Sequence, residues 1–315
     1  MVTRTSDRQG KPWLCIVNPA SANRTTGKVW PSISEQLKAA GLDHEARVTA
    51  GPGDATGLTR EGLKAGFRTI VAVGGDGTAN EVVNGFFEGE KWLGNGARLG
   101  LISRGTGRDL IKTLGLPKDE GEAIERLKAG RTRRLDLGRV RFTDHAGQPA
   151  MRHFINIGDI GLGGDTVARV NRTTKALGGK ISFLWGTLAT VAGYRNKDVE
   201  LVIDDGEPIR GRMCMVVVAG GQYFGGGMRI APDARPDDGL FDVAVLGNLG
   251  KLELIMNIPK VYKGTHVTHP KIKFYHGKEV VIRSTPPAML DLDGEQPGRT
   301  EARFSLLPGL LDVFV

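Results

Sequence analysis

Apolar residues in the first half of the chain come in short, unbroken runs separated by longer amphipathic stretches. Residues 13–18 (WLCIVN) read as a buried strand, followed by a polar loop and a helix over 29–40. A second strand is predicted at 44–49, and a helix over 54–65 opens on Asp54 as its cap. The run 69–73 is a third strand, entering a glycine loop and a helix over 79–87. A fourth, 98–102, leads through another glycine loop into a helix over 108–114. Strands alternating with helices at this spacing predict parallel βαβ units. In such sheets ligands bind beyond the carboxyl ends of the strands, which is where the glycine loops fall.

Beyond about residue 137 the pattern changes. Short strands are predicted at 139–142, 151–157, 198–203, 210–219, 240–246, 271–275, 279–283, 288–292 and 302–306. Turns such as DDGEP (204–208) and PDDG (236–239) separate them, which predicts an antiparallel, mostly β domain. Helical insertions are expected near 166–194 and 249–262. Two domains follow, an α/β lobe over 12–137 and a β lobe over 138–303, with the final LLDVFV run returning to one of them. A length of 315 residues fits that count and allows a sizeable core without disulfides.

Composition narrows the class. Lys and Arg number 43 against 35 Asp and Glu, a net charge of +8 that suits phosphate groups or an anionic membrane surface. Cys15 and Cys214 sit in apolar runs far apart, which predicts free, buried thiols in a reducing compartment and excludes a disulfide scaffold or a zinc site. The first apolar run is too short for a secretory signal, residues 1–11 read as a disordered basic leader, and no run approaches a spanning helix. A soluble, cytoplasmic protein is expected. The 46 glycines show no fixed period and cluster in loops.

The sharpest feature is VAVGGDGTANEVVNGF, residues 71–86. A strand ends on Gly74, Gly75, Asp76, Gly77 and Thr78, and a helix begins almost at once. Glycines permit positive φ and leave no side chain between backbone and ligand, so loop and helix-start amides can cradle phosphate oxygens. Asp76 supplies a carboxylate where a magnesium ion or its water shell would sit. A tight strand–helix turn with an Asp cap is the plainer alternative, but it does not need three glycines. The loop has neither the Lys-Ser/Thr ending of a P-loop nor dinucleotide-fingerprint spacing. SRGTGRDL (103–110) repeats the logic with Gly105, Thr106, Gly107 and Asp109, and NPASANRTTGK (18–28) is a third polar loop on the same edge. Together they describe a nucleoside-triphosphate site.

GGDGT followed by NEV, the upstream NPAS and the downstream GTGRD resemble the diacylglycerol kinase catalytic-domain family, which includes soluble bacterial diacylglycerol kinases, sphingosine kinases and ceramide kinases. FGGGMRIAPDARPDDGLFDV (224–243) and LDLDGE (290–295) resemble the family's later signatures, in order. GGDGT alone is shared with NAD kinases and phosphofructokinases; the PDDGLFDV and DGE blocks discriminate. The resemblance implies an α/β nucleotide-binding lobe like that of NAD and diacylglycerol kinases, a β-sandwich lobe, and a C-terminal segment, 304–315, returning to the first lobe. It implies ATP and magnesium as cofactors and a lipid alcohol at a membrane surface as acceptor, diacylglycerol first, on an enzyme peripheral to the inner face of the membrane. A homodimer is the assembly it suggests.

Residue by residue, the resemblance assigns nucleotide contacts to Asn18, Pro19, Ala20, Ser21, Thr49, Gly74 to Thr78, Asn80, Glu81, Gly105 and Thr106. Asp76, Asp109 and Asp136 match an acidic, water-linked magnesium network. Asp238, with the carbonyls of Arg235 and Leu240, matches a second, structural magnesium site. Asp293 and Glu295 match the catalytic pair, with the base role undivided between them; read without the resemblance, DGE and PDDG are also ordinary turns. A carboxylate beside the acceptor suits the hydroxyl proton that leaves during phosphoryl transfer.

Ser103 and Arg104 stand where the family has Pro and an apolar residue, and Arg108 and Leu110 flank Asp109 where it has Asn and Phe. A solvated arginine at a helix start is the expected place for Arg108. Arg169, Arg172, Lys175 and Lys180 precede the apolar run 181–194, which reads as a basic, amphipathic membrane lip or as a helix pair with one core face. Aromatic content of 6% argues against a nucleic-acid stacking platform. A kinase of NAD or another soluble alcohol, and a non-catalytic nucleotide-binding regulator, are the alternative functions.

Overall fold

The computed structural model describes residues 11–172 and 179–315, with side chains at all of these except 171–172 and 179–183. The predicted leader, apart from Lys11, and Lys175 of the basic lip lie outside the described residues. Contacts divide the chain into Met1–Leu135 with Gly309–Val315, and Asp136–Pro308.

The first unit is a parallel sheet in which the C-terminal end of strand Glu295–Phe314 is followed by Arg98–Ser103, Thr69–Gly74, Trp13–Val17 and His44–Val48. Every residue of Trp13–Val17 and Thr69–Gly74 is buried, as expected of strands covered on both faces. Ile33, Leu37, Ile124, Leu127 and Phe314 pack on Cys15, Val17, Val71 and Ile102 in one core cluster. The final strand enters through Asp312 opposite Arg98 and Val313 opposite Leu99, with Phe314 against Trp13 at 5.4 Å. Gly74 pairs with Ser103, so the two glycine loops leave adjacent strand ends. Helices cover this sheet at Thr26–Ala39, Asp54–Lys64, Asp76–Gly85, Asp109–Leu114 and Glu120–Ala129. The last was not predicted.

The second unit is antiparallel. Its strands run in the order Ile272–Gly277, Phe241–Leu246, Met215–Ala219, Ile157–Gly161, Met289–Leu292 and the first part of Glu295–Phe314. Glu279–Thr285 pairs with the latter around Ala302, and Lys197–Ile203 lies between Glu279–Thr285 and Ile209–Met213. The sandwich core joins Phe154, Phe241, Phe304, Ile160, Val216, Val243 and Leu290. A second cluster under the helices holds Ile157, Val191, Cys214, Val217 and Ile230. The expected strand 210–219 is broken at Cys214, whose amide donates to the carbonyls of Leu246 and Gly247 outside the regular ladder. The expected strand 151–157 likewise divides into Pro149–Phe154 and Ile157–Gly161.

Both cysteines are buried and free. Burial drives the Cys15 thiol far above its ordinary value, and burial with the Asp159 charge pushes Cys214 up to about 12, so neither is a reactive thiolate.

Candidate active site

In the first unit the glycine loops meet backbone to backbone. A Cβ on Gly105 would lie 2.7 Å from the Gly75 Cα, so only glycine permits the approach. Thr78 packs under Gly74 and accepts a hydrogen bond from Asn18 Nδ2 at 2.9 Å, which ties the first polar loop to the second. Asn18 Oδ1 in turn accepts the Ala20 amide at 3.0 Å, and the Ser21 and Thr26 hydroxyls meet at 2.6 Å. Pro19 abuts Gly27, and Thr49 is buried, its amide on the Val17 carbonyl at 2.9 Å. Thr106 is exposed, and a Cβ on Gly77 would meet nothing within 4 Å, so this edge is open to a ligand.

Asp76 opens the helix Asp76–Gly85 and also caps the next one, accepting the amides of Asp109 at 3.2 Å and Leu110 at 3.3 Å. Asp109 is buried and bound by Lys112 Nζ at 2.8 Å. A side chain on Gly107 would fall 3.0 Å from an Asp76 oxygen and 3.2 Å from one of Asp109, so the two carboxylates flank the same glycine. Burial, then the Asp109 charge, raises the Asp76 carboxyl above its ordinary range, against the pull of the Asp109, Leu110 and Arg108 amides. Two hard oxygen donors beside loops stripped of side chains fit magnesium, which takes one or two carboxylates with phosphates and water. Among the described residues no three His, Cys, Asp or Glu side chains form a metal cage of their own.

Other predicted contacts have structural employment. Glu81 accepts the amides of Gly53 at 2.9 Å and Ala55 at 3.2 Å, capping Asp54–Lys64, and Asn80 is buried beside Asn84. The two arginines that depart from the family pattern brace the loop. Arg104 pairs with Glu120 and reaches the Thr25 and Thr26 hydroxyls; Arg108, at φ 57°, donates to the carbonyls of Gly105 and Lys118. Arg108 thus stands half-exposed at the start of helix Asp109–Leu114 and also clamps the loop.

In the second unit Asp136 is buried and accepts the Gly239 amide at 2.8 Å, which groups it with Asp238 and Leu240 at the PDDG turn. Asp238 accepts the Leu240 amide at 3.2 Å and, like Arg235, is exposed. The DGE segment is a two-residue hairpin: Leu292 pairs with Glu295 while Asp293 and Gly294 take φ of 49° and 87°. Asp293 turns its carboxylate inward and accepts the amides of Ile155 at 3.0 Å, Asn156 at 3.2 Å and Ile157 at 2.8 Å. Glu295 instead faces a side chain, forming a half-exposed ion pair with Arg152. Arg152, Lys112 and Glu120 carry no motif and were not anticipated, although Lys112 three residues after Asp109 is a readable helix pair.

The proteins this chain resembles define its class, a kinase, a phosphotransferase acting on a lipid or other alcohol. Residues 12–140 match the diacylglycerol kinase catalytic domain, and 158–315 match the YegS C-terminal NAD kinase beta sandwich-like domain. A diacylglycerol kinase from Staphylococcus epidermidis is 30% identical over 305 residues, 95% of this chain and 90% of the relative. One from Staphylococcus carnosus is 28% identical, covering 95% and 93%. Two solved structures from Bacillus anthracis superpose with TM-scores of 0.75 and 0.71 at 25% and 23% identity, the first covering 96% of this chain and 97% of its own, the second, a diacylglycerol kinase, 96% of each. The chain belongs to the diacylglycerol kinase catalytic-domain family.

Proposed function

We propose that the protein transfers the γ-phosphoryl group of ATP to a lipid hydroxyl, with diacylglycerol the first acceptor to test. The observation that carries the nucleotide half is the pair of carboxylates, Asp76 and Asp109, flanking Gly107 beside the Gly75–Gly105 contact. The glycine-loop amides would bind phosphate oxygens, Asn18 and Thr78 would hold the loops in register, and Asp76 with Asp109 would hold magnesium. When bound, that ion neutralises charge on the transferring phosphoryl oxygens. Asp238, with the Arg235 and Leu240 carbonyls, would form the second, structural metal site of the proposal, beside the Gly239 amide that Asp136 holds.

The base role falls to Glu295. Asp293 has its oxygens on three backbone amides and serves to fix the turn, whereas Glu295 presents a carboxylate oriented by Arg152 and accepts the acceptor's hydroxyl proton. Access to a bilayer is proposed through the helices Gly179–Gly193 and Lys251–Lys263, which pack on each other. Trp185 (63% exposed), Leu252 (69%) and Met256 (58%) stand out from them beside Lys251, Lys260 and Lys263, a mixture suited to an anionic membrane surface. Arg169 is exposed on the preceding helix; the side chains of Arg172 and Lys180 lie outside the described residues. Among the described residues no helix is long and apolar enough to cross a membrane.

The test is transfer of labelled γ-phosphate from magnesium-ATP to diacylglycerol, a sphingoid base and ceramide in mixed micelles, beside NAD and water. Label in one lipid, lost in Glu295→Gln, is the expected result. Label in NAD with none in any lipid would overturn the lipid assignment.

A further inference from the structure

The β lobe holds two buried carboxyls that the transfer chemistry does not use. Asp159 lies at the middle of Ile157–Gly161, fully buried, and antiparallel register sets it directly opposite Asp291, also buried. Gly158 and Ile160 face the sandwich core, so Asp159 points to the opposite side, beneath helix Leu162–Arg172. Gly163 in that helix's first turn makes the room: a Cβ there would sit 2.2 and 2.3 Å from the two Asp159 oxygens. Neither of those oxygens has a donor in full hydrogen-bonding geometry, the Gly164 amide acting on them only from nearby.

Asp291 is tied to the candidate acceptor loop. Its Oδ1 accepts the Gly294 amide at 2.9 Å, inside the hairpin that carries Glu295. The turn is thus held at two points, by Asp293 on the amides of 155–157 and by Gly294 on Asp291. Two ionised carboxylates facing across one register position repel each other and offer each other no donor. A single proton removes one charge and supplies the missing donor to Asp159.

We propose that Asp159 and Asp291 share one proton and that this protonated pair, acting through the Gly294 amide, positions the Asp293–Gly294–Glu295 turn: loss of the proton sets two buried charges against each other, their repulsion outweighs the stronger bond Gly294 makes to an ionised Asp291, and the loosened turn slows transfer to the acceptor. The catalytic half of this inference rests on the assignment of Glu295 to acceptor activation. Both residues are positioning groups; neither touches the reacting atoms.

The electrostatic surroundings agree with the geometry. Burial pushes the Asp159 carboxyl up to about 7, with Asp291 and the Gly164 amide pulling it back and the Asp165 charge adding to the rise. Burial, then Asp159 and Asp293, holds Asp291 well above the ordinary carboxylate range, against the pull of the Gly294 amide. Other titratable groups acting on this region are Asp165, itself raised by burial against Lys197 and Arg169, and Tyr194 and Cys214 behind the strand. The last two are driven far above neutrality and keep their protons there.

Asp291→Asn separates the pair's proton from these neighbours. Its amide keeps an oxygen for Gly294 and offers Asp159 a permanent donor. The first readout is the nitrogen-15 shift of the Gly294 amide against pH, which needs no substrate. It is expected to titrate well above the ordinary carboxylate range in the wild-type protein and to stay flat in Asp291→Asn. The second is kcat for lipid phosphorylation, expected to fall toward tenfold per pH unit above the transition in wild type, about the limit for one essential proton, at constant KM for ATP. Asp291→Asn should lose that alkaline limb, and Asp159→Asn should lose it from the other side. A Gly294 signal that ignores pH in the wild-type protein overturns the shared proton. A titrating signal with the same kcat profile in wild type and Asp291→Asn overturns the positioning role. Titration with no transfer to any lipid supports the proton-dependent turn and refutes the lipid-kinase reading on which the catalytic half stands.

Discussion

Asp76 carries two functions that pull in opposite directions, and Asp76→Asn separates them. In the free protein its carboxylate caps helix Asp109–Leu114 through two long amide contacts, 3.2 and 3.3 Å. A cap of this kind contributes about 1 kcal/mol. Against it stands the Asp109 carboxylate: the oxygens flanking Gly107 lie no more than about 6 Å apart, where two like charges at an effective dielectric of 20 repel by roughly 3 kcal/mol. Lys112 on Asp109 cancels part of that. The substituted amide would keep an acceptor for one backbone N–H and abolish the repulsion. The variant is therefore expected to match or exceed the wild-type protein in stability by up to about 1 kcal/mol in metal-free buffer.

The pH dependence has a definite sign. The folded-state carboxyl of Asp76 is raised above its unfolded value, so its contribution to stability is present in full below the unfolded value and is lost as pH rises through the folded one. Urea denaturation of both proteins at acid and alkaline pH should show Asp76→Asn gaining on wild type as pH rises. Added magnesium should raise the wild-type midpoint more than that of the variant, which keeps only the proposed Asp238 site, and phosphoryl transfer by the variant should fall by at least about 100-fold. An Asp76→Asn protein less stable than wild type at alkaline pH without metal refutes the like-charge reasoning. Transfer within tenfold of wild type removes Asp76 from the site.

Three further outcomes are expected. Glu295→Gln should lower kcat by about 100-fold or more with little change in KM for ATP, as a lost general base does, measured by labelled-phosphate transfer. Asp293→Asn turns one acceptor into a donor facing the Ile155 amide and should cost about 2 kcal/mol in chemical denaturation, a stability loss that Glu295→Gln does not share. Gly105→Ala drives a Cβ to 2.7 Å from the Gly75 backbone, and the displaced loop should weaken ATP binding about tenfold or more by calorimetry while the β lobe is untouched.

Much of the fold was legible because its signals are local. The buried runs at Trp13–Val17 and Thr69–Gly74 have no polar residue to dilute them beyond the leading threonine of the second, and the glycine loops after Gly74 and Ser103 mark strand ends by composition. The missed helix Glu120–Ala129 was readable too, with Asp119 accepting the Glu122 amide at its start and Gly130 at φ 72° closing it. The break at Cys214 was not, because an apolar run looks the same whether its ladder continues or bends. Nor were the partners that orient the candidate groups. Arg152 lies 143 positions before Glu295, and Asp159 meets Asp291 across a register that no spacing in the sequence encodes.

The carboxylates that stand out in the sequence divide by what they accept. Glu81 and Asp293 have their oxygens on backbone amides, Asp76 does so in the free protein, and Glu295 is held instead by the guanidinium of Arg152. Truncation to alanine at the first three would remove a cap or a turn clamp along with any chemistry, so loss of activity there carries no information about mechanism. Asn and Gln replacements keep most of the hydrogen-bonding frame and remove the charge. Under them, groups that serve only the fold should show their effect in stability, and groups that serve transfer should show it in turnover. That separation, rather than the loss of activity itself, distinguishes a catalytic Glu295 from a structural one.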